Sequence, residues 1–209
     1  EVTPLATLRL AELALDAGIP PGVINVVNGL GNEAGQALVE HPLVSKISFT
    51  GSVATGKLIN KTATDTLKNV TLELGGKSPV ILLDDADLEK ASKGISMGIF
   101  GNTGQVCVAG SRLYIHRGIF DEAVELISKE ARTLKVGPGL HPETKIGPLV
   151  SKEHRDKVIS YIDEGIKAGA ETVTGGSAID GPGYYIEPTV LSNVSQSSKV
   201  VQEEIFGPV

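Results

Sequence analysis

The apolar side chains at the start of the chain recur at a helical spacing. Leu5, Leu8, Ala11 and Leu15 lie three or four positions apart, so they share one face of a helix. A proline stands just before the first of them, as is common in a first helical turn, and Gly18 followed by two prolines is a stop signal. This segment is therefore predicted to form an amphipathic helix.

Short apolar runs then alternate with helical patterns. The predicted strands cover residues 23–27, 44–49 and 70–74, and the predicted helices cover residues 34–39 and 55–63. Regular alternation of this kind is typical of right-handed crossovers between parallel strands. The predicted fold class is α/β, with part of a doubly wound, Rossmann-like parallel sheet.

A second series of elements follows the pair Gly75-Gly76. Strands are predicted at residues 80–83 and 113–116, and helices at residues 87–100, 118–134 and 151–168. Because paired glycines are typical of flexible connections, we expect a domain boundary there, with residues 1–74 and 75–209 on either side.

Composition narrows the classes of function. With 41% apolar and 21% charged residues the chain is typical of a globular protein, and a net charge of −6 from interspersed charges argues against nucleic-acid or membrane partners. No apolar run is long enough for a membrane span. A single cysteine excludes an internal disulfide, and the four histidines lack metal-ligand spacing. We expect no metal, a reducing compartment and a small-molecule substrate.

The lone Cys107 is the first candidate for chemistry. It stands among small residues, in the segment Gly-Gln-Val-Cys-Val-Ala-Gly, where backbone amides can approach a thiolate or a developing oxyanion. An inert, buried cysteine is the more common alternative, and the local context leaves it open.

Glu73 is the second candidate, at the end of the apolar run before Gly75-Gly76. This places it at the carboxyl edge of a parallel sheet, where such sheets bind ligands. We expect a partly buried general base there. A surface or ion-paired glutamate is an equally good interpretation of the residue by itself.

Two glycine turns suggest phosphate binding. The segment from Gly29 through Gly31 to Gly35 has one residue too many for a dinucleotide fingerprint, and a plain turn is favoured. Residues 51–57 match the P-loop spacing, but Leu58 stands where a magnesium-binding Ser or Thr belongs, which disfavours a nucleotidase. A pyrophosphate held at a helix N-terminus without a metal fits better.

Taken together and in order, these segments resemble the aldehyde dehydrogenase superfamily along nearly the whole chain. The family places a glutamate before its cysteine at the same distance as the 34 positions that separate Glu73 from Cys107. The matching segments are Phe-Thr-Gly-Ser at 49–52, Leu-Glu-Leu-Gly-Gly-Lys-Ser-Pro at 72–79, Gly-Gln-Val-Cys at 104–107, Ile-Gly-Pro at 146–148, Pro-Thr at 188–189 and Glu-Ile-Phe-Gly-Pro at 204–208.

The resemblance implies oxidation of an aldehyde to a carboxylic acid with hydride transfer to NAD(P). Cys107 would be the nucleophile that forms a thiohemiacetal and then a thioester, its backbone N–H an oxyanion donor, and Glu73 the base that activates water for hydrolysis. A noncatalytic NAD-binding protein of the same fold is the remaining alternative.

The resemblance also implies eight cofactor-binding residues: Glu1, Gly31, Gly51, Ser52, Gly56, Leu74, Glu204 and Phe206. Gly51, Ser52 and Gly56 would hold the pyrophosphate, and Glu204 and Phe206 would contact the nicotinamide ribose and ring. An acidic Glu1 beside the adenine ribose would repel a 2′-phosphate, which favours NAD although NADP stays possible.

By the same resemblance, residues 1–74 would be the second half of a dinucleotide-binding domain and residues 75–209 the first part of the catalytic domain. The family's early Rossmann strands and oligomerisation strand lie outside this sequence, so we expect the chain alone to be inactive and its parent to be a cytoplasmic homodimer or homotetramer. Residues 20–29, 147–151 and 154–158 look most like bacterial phenylacetaldehyde dehydrogenases, with betaine aldehyde enzymes close behind.

Overall fold

The computed structural model describes residues 1–209, and their contacts divide the chain into two compact units, Glu1–Leu74 and Gly75–Val209. Both units mix helices with short strands. The longest ladders in each unit are parallel. The chain therefore has the predicted α/β character.

The first unit contains three α-helices and one parallel pair of strands. Its elements in chain order are α1 (Leu5–Asp16), a π-helical turn (Gly31–Gly35) that continues into α2 (Gln36–Glu40), β1 (Lys46–Gly51), α3 (Val53–Ala63), a 3-10 turn (Thr64–Thr66) and β2 (Asn69–Leu74). The two strands align from Lys46 opposite Asn69 to Gly51 opposite Leu74. Helix α3 is thus the crossover between two parallel neighbours, as the alternation predicted.

The prediction of a strand at residues 23–27 is wrong. This segment pairs with no strand of the chain, and Val23 and Val27 are each 67% exposed. A strand requires a partner for its backbone hydrogen bonds, which an apolar run cannot supply by itself. The other predicted strands form, although β1 lies two residues further along than expected and runs through Gly51.

Helix α3 is held against the sheet by small and aliphatic side chains. Ile59 and Ala63 are buried, and Gly56 lies so close to the strand that an added Cβ would be 2.7 Å from Leu74 Cδ2. Outside the helix, the Lys68 ammonium donates to the carbonyls of His41 and Val44 at 2.7 and 2.8 Å. These contacts fix the chain before β1 to the chain before β2.

The second unit contains four α-helices and six strands. Its elements are β3 (Pro79–Leu82), α4 (Leu88–Phe100), a 3-10 segment (Gly101–Gly104), β4 (Arg112–Ile115), a 3-10 turn (Arg117–Ile119), α5 (Phe120–Thr133), α6 (Lys152–Lys167), β5 (Glu171–Thr174), β6 (Ala178–Ile179), β7 (Tyr185–Ile186), β8 (Val190–Ser192) and α7 (Lys199–Gln202). Strands β3 and β4 are parallel, whereas β5 pairs with β8, and β6 with β7, in antiparallel fashion. No strand was predicted after residue 168.

Local capping explains where α4 and α6 begin. The Asp87 carboxylate accepts the N–H of Lys90 at 3.1 Å, and the Ser151 hydroxyl accepts the N–H of His154 at 3.1 Å. Each bond satisfies one of the free N–H groups of a first turn and stabilises the helix by about 1 kcal/mol. The sequence signals for both helices were therefore local, and both predictions are correct.

Two apolar clusters form the core of the second unit. One brings together Ile99, Phe100, Ala109, Ala131 and Ile146, and the other brings together Leu149, Val158, Ile162, Ile186, Val200 and Ile205. Burying a side chain such as Phe100 contributes roughly 1.5–3 kcal/mol. The first cluster fixes the end of α4 beside Ala109, and so holds the segment that contains Cys107 between them.

Candidate active site

A run of left-handed backbone leads from α4 to Cys107. Asn102, Thr103 and Gly104 have φ angles of 50, 60 and 69°. The Asn102 side-chain amide donates to the Gln105 carbonyl at 3.1 Å, and the Gln105 N–H donates back to the Asn102 carbonyl at 3.1 Å. These bonds stabilise a conformation that non-glycine residues rarely adopt. Strained backbone of this kind is often found at functional sites.

Cys107 lies in a tight turn directly after this run. The turn is closed by a hydrogen bond from the Ala109 N–H to the Val106 carbonyl at 3.1 Å, and Cys107 is only partly buried. The N–H groups of Cys107 and Val108 find no acceptor in the chain. A thiol in this position can attack an electrophilic carbon, and the free N–H groups can donate to the oxygen that becomes negative.

Side chains tie the cysteine turn to the segment before α6. The Thr103 hydroxyl donates to the Gly147 carbonyl at 3.2 Å, and the Gln105 side-chain oxygen accepts the Val150 N–H at 3.1 Å. Thr103 is buried. The backbone that leads into the Cys107 turn is thus fixed by two side-chain bonds.

The structure brings Glu204 to the glycine pair beside Cys107. Glu204 Oε1 accepts the Gly76 N–H at 3.1 Å, and a Cβ on Gly75 would be 2.1 Å from Glu204 Oε2. On the other side, a Cβ on Gly76 would be 2.5 Å from the carbonyl oxygen of Cys107. Only glycine permits both approaches. The carboxylate expected at the cofactor ribose and the cysteine turn therefore share one pair of glycines.

Lys77, which belongs to the matching segment at residues 72–79, is a further candidate for a residue of the site. Burial, and to a smaller extent the nearby Arg112 guanidinium, lower its pKa from 10.5 to about 8, and Glu204 partly opposes this shift. Arg112 is held there because its Nε donates to the Lys77 carbonyl at 2.7 Å. A lysine after paired glycines at the start of an apolar strand was the available signal.

We predict that Lys77 titrates far below ordinary lysines. The unfolded chain has the ordinary pKa of 10.5 and the folded chain a pKa of about 8. The unfolded state therefore binds more protons between these values, and the contribution of Lys77 to stability rises with pH in that window. Trace acetylation at increasing pH, read by peptide mass spectrometry, should give a Lys77 midpoint near 8. Exposed Lys93 is the reference, and a Lys77 profile that matches it would contradict the prediction.

Phe206 adopts a left-handed conformation, with a φ of 60°, and its side chain is 36% exposed. Its carbonyl oxygen lies 2.6 Å from His154 Nε2, and the two rings meet edge to face with centroids 6.0 Å apart. The next residue, Gly207, is buried against Gly104. A Cβ added to Gly104 would be 2.0 Å from the carbonyl oxygen of Gly207. The segment that carries Glu204 and Phe206 thus packs on the segment that leads to Cys107.

Replacing Gly104 by alanine should destabilise the fold by about 2–4 kcal/mol. Alanine at φ +69° is strained, and its Cβ would strike the Gly207 carbonyl. Gly98→Ala is the matched control, because no atom lies within 4 Å of its Cβ position in helix α4. That change should be neutral or stabilise by up to about 1 kcal/mol. Urea denaturation of both variants makes the comparison, and equal midpoints would refute it.

In the first unit, four predicted cofactor residues gather at the carboxyl end of the parallel strands. Gly51 lies opposite Leu74, and Leu74 packs on Gly56. Ser52 caps α3, with its hydroxyl accepting the Thr55 N–H at 3.1 Å.

The N–H groups at the start of α3 suit an anion. Those of Val53 and Ala54 have no acceptor in the chain, and the helix dipole places partial positive charge there. Leu58, at the position where a P-loop needs a hydroxyl for magnesium, is an exposed leucine. This end of the helix therefore offers donors to a phosphate without a metal ligand.

Three other predicted site residues of the first unit are not part of this group of four. Glu73 lies opposite Thr50 at the end of β2, and its side chain is exposed, so the expected partial burial is wrong. The strand alternates between half-buried and exposed positions, and Glu73 falls on the exposed face. Gly31 begins the π-helical turn with no atom within 4 Å of its Cβ position, and Glu1 is exposed. Glu73 and Cys107 belong to different units.

Other kinds of site are not found. The His, Cys, Asp and Glu side chains nowhere form a group of three that could hold a metal ion. None of the helices combines the length and the hydropathy that a membrane span requires. An apolar cavity of about 360 Å³ lies among α4, β4, α5 and β8, but no candidate catalytic residue lines it.

The fold and the site define a mixed α/β protein whose single cysteine lies in a turn with two unpaired backbone N–H groups. The chain belongs to the aldehyde dehydrogenase family, whose sequence model matches residues 1–209. This confirms the resemblance inferred from the motifs.

Individual relatives agree with the family. The Bacillus subtilis protein DhaS is 53% identical, and the phenylacetaldehyde dehydrogenase of Pseudomonas fluorescens is 46% identical, each over the whole chain. An NAD+ complex of aldehyde dehydrogenase from Bacillus cereus is 48% identical and superposes over 99% of the chain with a TM-score of 0.97, which confirms the fold class. The chain spans about 42% of the length of each of these proteins.

Proposed function

We propose that a full-length protein containing these residues oxidises small aldehydes to carboxylic acids with NAD+ as the hydride acceptor. The observation that carries the proposal is the partly exposed Cys107 in a turn whose adjacent N–H groups have no acceptor. Membership of the aldehyde dehydrogenase family supports it.

In this proposal Cys107 attacks the aldehyde as a thiolate. A bond forms between Sγ and the carbonyl carbon, and the carbonyl oxygen takes the electron pair to give a thiohemiacetal. The Cys107 N–H is placed to donate to that oxygen, and the neighbouring Val108 N–H is a second free donor in the same turn. Loss of hydride from the carbon leaves a thioester on Cys107.

Glu73 is proposed to complete the reaction as the general base. Its carboxylate takes a proton from water, the water oxygen attacks the thioester carbon, and the carbon–sulfur bond breaks to release the acid and restore the thiolate. The position of Glu73 at the carboxyl end of a parallel strand supports this role. Its spacing from Cys107 matches the family pattern.

The residues of the first unit fit a dinucleotide. The free N–H groups at the start of α3 and the Ser52 hydroxyl would hold the pyrophosphate, with Gly51, Gly56 and Leu74 shaping the edge of the sheet. Gly31 would lie at the edge of the same site. When bound, NAD+ supplies the carbon that accepts hydride.

Glu204 and Phe206 would contact the nicotinamide ribose and ring, and Glu1 the adenine ribose. The negative charge of Glu1 favours NAD over NADP, because it would repel a 2′-phosphate. The relatives include both cofactor types: the Bacillus cereus enzyme was solved with NAD+, and an NADP-dependent Escherichia coli enzyme is 42% identical. The assay therefore includes both cofactors.

The substrate, the domains and the assembly are part of the same proposal. Phenylacetaldehyde is the first candidate and betaine aldehyde the second; named relatives of these two kinds are 46% and 47% identical. Residues 1–74 would complete a dinucleotide-binding domain and residues 75–209 would begin the catalytic domain of a cytoplasmic homodimer or homotetramer. Because the chain spans 42% of its relatives, we propose that the 209 residues alone are inactive.

The test is aldehyde-dependent formation of NADH or NADPH by the full-length protein and by the 209-residue chain, with both aldehydes. Turnover by the full-length protein with NAD+ supports the proposal. Binding of NAD+ without oxidation of any aldehyde would instead favour a noncatalytic protein of this fold. Magnesium-dependent hydrolysis of ATP, lost on changing Lys57, would favour a nucleotidase.

A further inference from the structure

Phe206 is held in a conformation that it would not adopt freely. Its φ of 60° is left-handed, which costs a residue with a side chain of this size free energy that glycine would avoid. Its neighbours Ile205 and Gly207 are buried, whereas Phe206 is 36% exposed. Some contact must therefore stabilise this backbone while leaving the ring accessible.

His154 supplies that contact in two ways. Its Nε2 lies 2.6 Å from the Phe206 carbonyl oxygen, and because a carbonyl oxygen can only accept, the imidazole donates through an Nε2–H. The two rings also meet edge to face, at an interplanar angle of 64° and a centroid distance of 6.0 Å. Such aromatic pairs are favourable beyond the area they bury.

His154 is itself well placed to act as an anchor. It is half-buried in the first turn of α6, where its N–H donates to the capping hydroxyl of Ser151 at 3.1 Å. Helix α6 is fixed in the core through Val158 and Ile162, which are completely buried. The imidazole is therefore presented to Phe206 from a helix that is anchored in the core.

The rest of the segment is held from other directions. The Thr189 N–H donates to the Pro208 carbonyl at 2.8 Å, and Gly104 packs against the Gly207 carbonyl. Glu204 is bonded to the Gly76 N–H. Among these anchors, His154 is the one that contacts both the carbonyl and the ring of Phe206.

We propose that His154 is a positioning residue that holds Phe206 in the orientation needed to contact the nicotinamide end of the cofactor. The inference rests on the proposed function, in which Phe206 touches the nicotinamide ring. Without the imidazole, Phe206 can relax to an ordinary backbone conformation, and the cofactor must order it again on binding. The loss therefore falls on cofactor affinity more than on the chemistry at Cys107.

The test is a comparison of His154→Ala with His154→Gln in the full-length protein. For His154→Ala we expect the KM for NAD+ and its Kd by calorimetry to rise about tenfold, as one hydrogen bond and one aromatic contact are lost. The KM for the aldehyde should stay within about twofold. The glutamine side chain carries an N–H that can reach the same carbonyl, so His154→Gln should restore most of the affinity. His141→Ala, at an exposed loop histidine, is the control.

The outcomes separate this inference from the proposed function. If the wild-type protein binds NAD+ but oxidises no aldehyde, the proposed function fails, while the calorimetric comparison still decides the role of His154. An unchanged Kd for NAD+ in His154→Ala overturns the inference. So does a parallel loss of cofactor affinity, aldehyde affinity and thermal stability without rescue by glutamine, since that describes a purely structural residue.

Discussion

Replacing Cys107 by serine is expected to lower kcat/KM for aldehyde oxidation about 10³-fold or more. A hydroxyl is a far weaker nucleophile than a thiolate, and no base stands beside Cys107 in its turn to activate it. Removal of a catalytic nucleophile has effects of this size or larger. The turn itself should survive, because it is closed by the backbone bond between Val106 and Ala109, and the contact with Gly76 uses the Cys107 carbonyl.

The measurement combines steady-state NADH formation with calorimetry of NAD+ binding. The variant should bind NAD+ as the wild type does and should form no covalent adduct with the aldehyde by intact mass. Lys93→Ala, an exposed change on helix α4, provides the control for expression and assembly. Retention of more than about a tenth of the wild-type rate by Cys107→Ser would exclude the thiol as the nucleophile.

Replacing Glu73 by glutamine is expected to lower kcat by about 10²–10⁴-fold, the range for loss of a general base. The amide has nearly the shape of the carboxylate but cannot accept a proton. Because the Glu73 side chain is exposed and the substitution leaves the backbone pairing of β2 with β1 intact, the fold should lose little stability. The loss should therefore fall on hydrolysis of the thioester.

A pre-steady-state assay distinguishes this step from the earlier ones. Glu73→Gln should release up to one NADH per active site in a rapid burst and then stall, with the acyl group on Cys107 visible by mass. Asp65→Asn, another exposed carboxylate of the first unit, should behave as the wild type. A first turnover as slow as the later ones would place the role of Glu73 before thioester formation.

The sequence by itself determined the elements whose signals are local. Helices α4 and α6 were predicted at residues 87–100 and 151–168, and in the structure they begin at the local caps Asp87 and Ser151. The parallel pair β1 and β2 follows from alternation around α3. The motif around Cys107 and its distance from Glu73 led to the family, which the match over residues 1–209 confirms. In each case, the information lies in a short stretch of sequence or in the order of the motifs along the chain.

Only the tertiary structure decided the features that depend on distant partners. The apolar run at residues 23–27 forms no strand, because pairing needs a neighbour that periodicity does not reveal. The bond between Gly76 and Glu204 joins positions 128 apart, and that between His154 and Phe206 joins positions 52 apart. The low pKa of Lys77 likewise arises from burial and from Arg112, 35 positions away. Composition and spacing point to the candidate groups for the chemistry, whereas their burial, charge and backbone strain are set by packing between segments far apart in the chain.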